Sequence, residues 1–416
     1  MFVKKEISVY DFVRAISHTV DLASEALSGH HKKTAYIACS IALEMKMRTK
    51  DVQDIVLAAM LHDIGAFSLA EKTKIQSFGF HENEHDRHAE LGYKLIKGFA
   101  PLSVPAKLIR FHHTIYDASR RDVPLGSYII HLADRVAVLI DEKREILEQA
   151  DEIFSKIDEK RNIFLPDAYD ALRVLSRFEY FWIDVISPDI DFLIDKMIWV
   201  NREIIDTDML AIFAQVLARV IDFRSRFTST HSSGVAAAAR EIAALSGFTE
   251  RECKMVETAG FVHDLGKLAV PNEILEKNGG LTIKELNCIK KHTYYTYSIL
   301  SRINGLDLIP AWAAFHHERL DGKGYPFHIP GTELSTLARI MAVADVITAL
   351  TEDRPYRQGM DGEATSKTLR SMAETGKLDK KIVETALRYF DQINQARARA
   401  QKKARREYEA FHSNGV

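Results

Sequence analysis

Ala58-Ala59-Met60-Leu61-His62-Asp63-Ile64-Gly65 is answered later in the chain by Ala259-Gly260-Phe261-Val262-His263-Asp264-Leu265-Gly266. In both, small and apolar residues run up to a His-Asp pair, and a glycine follows two residues on. Outward from the first pair lie His31 on one side and His88, His112-His113 and Asp134 on the other. Outward from the second lie His231, then His292, His316-His317 and Asp345. The step from the pair's histidine to the next is 26 residues in one copy and 29 in the other, and 24 residues then lead to the double histidine in both. One order kept twice at near-equal spacing points to a duplicated domain. The last step differs, 22 residues against 29, because only the second copy carries Asp321-Gly322-Lys323-Gly324-Tyr325-Pro326.

The segments around these residues repeat Ala, Leu and Ile at three- and four-residue intervals, as in 35–45, 52–61 and 235–245, while few runs alternate with period two. That periodicity is helical, and the prolines and glycines fall mostly between the periodic runs. The expectation is an all-α fold of tandem helical bundles. A chain of 416 residues is too long for one ordinary core, so two domains are expected, 1–200 with a helical connector and 201–416. Residues 141–230, rich in aromatics (Phe178, Phe181, Trp182, Phe192, Trp199), complete the first domain and lead into the second through a long helix around Met209 to Phe223. The tail, Lys380 to Glu409, reads as one more helix with a basic end (Arg397, Arg399, Lys402, Lys403, Arg405, Arg406), most simply a solvated face.

Charge and composition narrow the function. Lys and Arg (56) nearly balance Asp and Glu (58), which gives no electrostatic argument for a large nucleic-acid partner. Cys39, Cys253 and Cys288 have no CxxC spacing, so neither a disulfide framework nor a thiolate zinc site is indicated. No stretch approaches the roughly 20 apolar residues of a membrane helix, and the N-terminus lacks a signal-peptide pattern. A cytoplasmic protein is expected.

Imidazole and carboxylate together suit borderline divalent metals such as iron, manganese, zinc or nickel. An aspartate beside a histidine can bridge two ions while its neighbour ligates one of them. Two ions about 3.5–4 Å apart activate a water near neutral pH and clamp a phosphate for in-line attack. Lys267, one turn beyond Asp264, is placed to meet charge developing on that phosphate. A lone buried histidine is more often a hydrogen-bonded core residue; the ordered, repeated set argues for metal.

The second copy resembles the HD-GYP branch of the HD superfamily of metal-dependent phosphohydrolases. The resemblance rests on His231, the run His263-Asp264-Leu265-Gly266-Lys267, His292, the run His316-His317-Glu318-Arg319-Leu320-Asp321-Gly322-Lys323-Gly324-Tyr325-Pro326, Asp345 and Arg354-Pro355-Tyr356-Arg357, over roughly residues 205–395. It implies hydrolysis of a 3',5'-phosphodiester in a bacterial cyclic dinucleotide, cyclic di-GMP or 3',3'-cyclic GMP-AMP, with two divalent ions, iron or manganese. It implies His231, His263, Asp264 and Asp345 around one ion, and Asp264, His292, His316 and His317 around the other. Asp264 and Lys267 are then the catalytic pair, with Lys267, Tyr325, Arg354 and Arg357 meeting substrate. Gly324-Tyr325-Pro326 stays open to two other uses, shaping a turn or binding a protein partner, and a homodimer is likewise open. Trinuclear members carry a glutamate four residues before the first histidine; Phe227 stands there, so two ions are expected.

The first copy resembles the superfamily over roughly residues 10–140. Its candidate ligands are His31, His62, Asp63, His88, His112, His113 and Asp134, with His30 competing for the first place. Ala66 stands where the second copy has Lys267, and the GYP loop is absent. A regulatory or structural domain is therefore expected there. A non-catalytic binding module and a phosphohydrolase of ordinary nucleotides remain the alternative readings.

Overall fold

The computed structural model describes residues 7–21, 29–66, 85–198, 204–223, 229–277, 279–353 and 358–413. Trp199, Phe227, Arg354 and Arg357 lie outside them. The chain divides into two compact units, Val9–Glu203 on the one hand and Met1–Ser8 with Ile204–Val416 on the other. No helix among the described residues is long and apolar enough to cross a membrane.

In the second unit of the chain β1 (Ile7–Ser8) pairs antiparallel with a later strand. The N-terminal unit then runs α1 (Val9–Asp21), α2 (His30–Glu44), α3 (Thr49–Leu61), α4 (His85–Ile96), α5 (Ser103–Arg110), α6 (Leu125–Leu139), α7 (Ile146–Asp158), α8 (Pro166–Leu175), α9 (Glu179–Val185) and α10 (Ile190–Met197). Helix α2 packs on α3, α6, α8 and α10. Every α6 position from Gly126 to Ala137 is buried, as expected of a helix covered on all sides. The aromatics divide: Phe181 and Trp182 are in the core, whereas Phe178 and Phe192 are exposed.

The C-terminal unit contains β2 (Ile204–Ile205), with Ile205 opposite Ile7 and Ile204 opposite Ser8. Its helices are α11 (Thr207–Asp222), α12 (His231–Leu245), α13 (Glu250–Val262), α14 (Asn272–Leu275), α15 (Ile283–Leu300), α16 (Ile309–Ala314), α17 (Thr336–Thr351), α18 (Gly362–Glu374), α19 (Lys380–Arg388) and α20 (Phe390–Ser413). The expected long helix after Met209 is α11, which packs on α13. The basic tail is two helices rather than one, because the chain breaks at Tyr389. Helix α12 is central, packed on α13, α17 and α20.

Side-chain caps fix several starts in this unit. Thr249 accepts from the Glu252 backbone N–H and Glu252 returns to the cap, and Thr282 and Glu285 do the same for α15. Asp206 and Ser335 cap α11 and α17.

Candidate metal centres

The same local structure presents the ligands in both units. The first histidine opens a helix, the His-Asp pair follows the end of the next (Leu61 or Val262), and the third histidine lies within α4 or α15. The double histidine follows α5 or α16, and the last aspartate is buried in α6 or α17. Two glycines make this possible. A Cβ on Gly65 would fall 2.1 Å from the carbonyl oxygen of His88, and one on Gly266 would fall 1.9 Å from that of His292. Any side chain there would push the His-Asp pair away from the helix carrying the next ligand.

In the C-terminal unit His263 Nε2 is 3.2 Å from Asp264 Oδ2, and His292 Nε2 is 3.3 Å from Asp264 Oδ1. Asp264 thus turns one oxygen to each side, as a bridging carboxylate does. His231 Nε2 lies 3.2 Å from Asp345 Oδ1, and His292 and His316 bring their Nε2 atoms within 3.3 Å. His231, His263 and Asp264 form one group of convergent donor atoms, and His292, His316 and His317 another.

The N-terminal unit repeats this. His62 Nε2 is 3.4 Å from Asp63 Oδ2, and His88 Nε2 is 3.2 Å from Asp63 Oδ1. His88 also meets His113 at 3.0 Å. Its groups are His30, His62 and Asp134, and Asp63, His88, His112 and His113.

The first ligand corrects the sequence expectation. His30, not His31, stands in the cluster, with Nε2 3.1 Å from Asp134 Oδ1 and 3.3 Å from His62 Nε2. Successive residues on a helix point about 100° apart, so only one of the two can face the site. The signal was present: 32 residues separate His30 from His62, as they separate His231 from His263.

The donor chemistry fits metal. His62, His112, His263, His292 and His316 each turn Nδ1 to the carbonyl three residues back (Ala59, Ile109, Gly260, Ile289, Ala313) at 2.6–2.8 Å. With that proton on Nδ1, every Nε2 presents a lone pair to the centre, an arrangement a cation relieves. Asp63 Oδ1, Asp134 Oδ1 and His263 Nε2 are buried, and the close contacts they make to His88, His30 and Asp264 lack hydrogen-bond geometry. Burial pushes His292, His316 and His317 down to about 3 and His112 to about 4, so these rings are neutral and ready to ligate. Burial opposes the charge on His231, but Glu352 and Asp345 outweigh it and hold its pKa up at about 10.

Lys267 donates to Asp264 Oδ2 at 2.5 Å and keeps 22% of its side chain exposed. Tyr325 lays its ring 4.9 Å from that of His317 at 35°, with Lys290 Nζ 5.4 Å from the tyrosine centroid. Four further residues escaped the reading of the sequence. Glu318, 3% exposed, accepts from the backbone N–H groups of Phe327 and Ile329 and so holds the loop carrying Tyr325. Asp222, pushed up to about 7 by burial, accepts from the backbone N–H and hydroxyl of Ser232 and anchors the start of α12 beside His231. Arg135 grips Asp134, and Glu352 meets His231.

Known proteins share this plan. HD domain models match residues 27–139 and 215–382. The chain is 29% identical over 382 residues to 3'3'-cGAMP-specific phosphodiesterase 1 of Vibrio cholerae, covering 88% of each chain. It is 38% identical over 182 residues to the cyclic di-GMP phosphodiesterase response regulator RpfG of Xanthomonas campestris, 43% of this chain and 48% of that one. The crystal structure of the cyclic GMP-AMP specific phosphodiesterase V-cGAP3 of V. cholerae matches 94% of this chain and 98% of its own at 19% identity and a TM-score of 0.63, a likeness of fold.

Proposed function

The chain belongs to the HD-GYP family of cyclic dinucleotide phosphodiesterases and carries two HD domains, and on that premise we propose that its C-terminal cluster hydrolyses 3',3'-cyclic GMP-AMP, with cyclic di-GMP as the competing substrate. The choice between them follows the relative aligned over most of both chains, which is named for 3'3'-cGAMP. The observation that carries the reading is Asp264: its two oxygens face different histidines, and Lys267 lies on the same carboxylate.

In this reading His231, His263, Asp264 and Asp345 would hold one ion, and Asp264, His292, His316 and His317 the other. Iron or manganese is the metal we expect. Two such ions activate water near neutral pH and polarise a phosphodiester. The chain's own side chains do the rest. Lys267, 2.5 Å from the Asp264 carboxylate and partly open to solvent, is placed to meet a phosphate oxygen and stabilise the charge that develops there. Tyr325, braced by His317 on a loop that Glu318 anchors, offers a flat surface for a base. Arg354 and Arg357, outside the described residues, are the expected phosphate forks. The N-terminal cluster lacks Lys267 and the GYP loop, so we assign it a metal-binding regulatory role.

The test is turnover of both cyclic dinucleotides by iron- and manganese-loaded protein, wild type against Asp264→Ala, with products separated by chromatography. Metal-dependent hydrolysis lost in the variant supports the reading. No turnover of either substrate overturns it in favour of a binding module or a phosphohydrolase of ordinary nucleotides.

A further inference from the structure

One buried carboxylate at the C-terminal cluster is not among the expected ligands. Glu352, 7% exposed, follows the last residue of α17 and places its two oxygens 3.2 and 3.1 Å from Nδ1 of His231. The other nitrogen of that ring, Nε2, faces Asp345. The two nitrogens of an imidazole point away from each other, so a carboxylate at Nδ1 does not share an ion held at Nε2. It accepts the Nδ1 hydrogen bond and so fixes Nε2 as the nitrogen that faces the cluster, the one that would ligate an ion.

The need for it follows from the position of His231 in the chain. His263, His292 and His316 give their Nδ1 proton to a carbonyl three residues back. His231 is the first residue of α12 and has no earlier turn of its own helix to supply such an oxygen. Glu352, 121 residues away, takes that place. A carboxylate acceptor also makes the imidazole a stronger donor than a carbonyl does. In the N-terminal unit the same step beyond the last aspartate leads from Asp134 to Asp141, which is exposed and accepts from the backbone N–H of Lys143.

Glu352 is itself held from the C-terminal helix. Gln401 of α20 donates to its Oε2 at 3.1 Å, and Gln401 accepts in turn from the buried guanidinium of Arg397 on the same helix. Gly234 in α12 leaves room for the Gln401 amide, since a Cβ there would fall 2.8 Å from its nitrogen.

We propose that Glu352 is a positioning residue for His231 and that α20, through Gln401, is part of the metal centre, so that loosening this helix weakens metal binding. The proposal rests on the reading of the cluster as a metal site. Its test is the affinity for Mn2+, measured by calorimetry on the metal-stripped chain carrying His62→Ala and His88→Ala, one change in each N-terminal group, to silence that cluster. Glu352→Ala is expected to weaken one of two ions by about 10- to 100-fold, the range for lost outer partners of a ligand histidine. Glu352→Gln, whose amide oxygen still accepts from Nδ1, recovers most of that loss, and Gln401→Ala gives a smaller weakening of the same ion. Equal Mn2+ affinity in parent and Glu352→Ala overturns the proposal, as does loss of one whole ion in Glu352→Ala and Glu352→Gln alike, which would make Glu352 a ligand. If Glu352→Ala does not fold, unchanged affinity in the other two variants overturns it equally. A parent chain that binds no Mn2+ removes both this inference and the proposed function; binding with this pattern but without hydrolysis removes only the function.

Discussion

In the N-terminal unit Arg135 sets Nη2 2.5 Å and Nε 3.1 Å from one oxygen of Asp134, its side chain 3% exposed. In the C-terminal unit Val346 follows Asp345, and the cation is Lys267, on the other aspartate and 22% exposed. The ligand sets are alike, but one site keeps its positive charge buried and fixed on a ligand, while the other keeps it on a flexible stem partly open to solvent. A guanidinium buried on a carboxylate is held there by the cost of leaving that carboxylate unpaired, whereas a lysine ammonium on a flexible four-carbon stem can turn between partners. The comparison teaches that two clusters with the same candidate ligands differ in where the nearest cation sits, and this is the difference on which the proposed division of labour between them rests.

Four experiments break or sharpen this contrast. The largest effect is expected from Asp264→Ala, which would take the proposed shared ligand from both ions and should cut turnover by about a thousandfold or more, since several kcal/mol of transition-state stabilisation would go with the metals. His62→Ala, in the other unit, should alter the rate without abolishing it, and loss of all turnover there would end the division of labour. Next comes Lys267→Ala, expected to lower kcat by about 100-fold at unchanged metal content. Adding Ala66→Lys to Asp264→Ala should restore nothing, and recovered turnover would show that the lysine is all the N-terminal site lacks. Third, Arg135→Met strands Asp134 in the core and should destabilise the N-terminal unit by about 3–5 kcal/mol in denaturant unfolding, partly offset by added Mn2+. A stable variant would mean that Arg135 does not compensate the site. The smallest effect concerns matching helices: Thr249 caps α13, whereas Arg48 at the start of α3 makes no side-chain cap. Thr249→Ala should cost about 1 kcal/mol and Arg48→Thr should gain less than that, read as shifts in the two unfolding transitions.

Much of this was legible in the sequence. Helical periodicity marks α2, α3 and α12, and the order of histidines and aspartates marks the duplicated ligand set. What stayed hidden depends on contacts between distant residues. Glu352 lies 121 residues from His231, and nothing local to either marks the pair. Arg135 carried a visible signal, since an arginine follows Asp134 where a valine follows Asp345, but its meaning depends on both side chains being buried. His31 was preferred to His30 because two adjacent histidines look alike until a helix start decides which one turns inward. The break at Tyr389 was missed because both helices of the tail share a polar, helix-favouring composition.

The glycines at 65 and 266 set the spacing between the His-Asp pair and the next ligand by main chain meeting main chain. For protein engineering this makes each cluster a chassis: the close approach is main chain on main chain, so the cation, the loop and the surface offered to a base are the parts to exchange first. The N-terminal copy is then a ready recipient for a transplanted rim, and the order in which its parts must be fitted is testable one residue at a time, beginning with position 66.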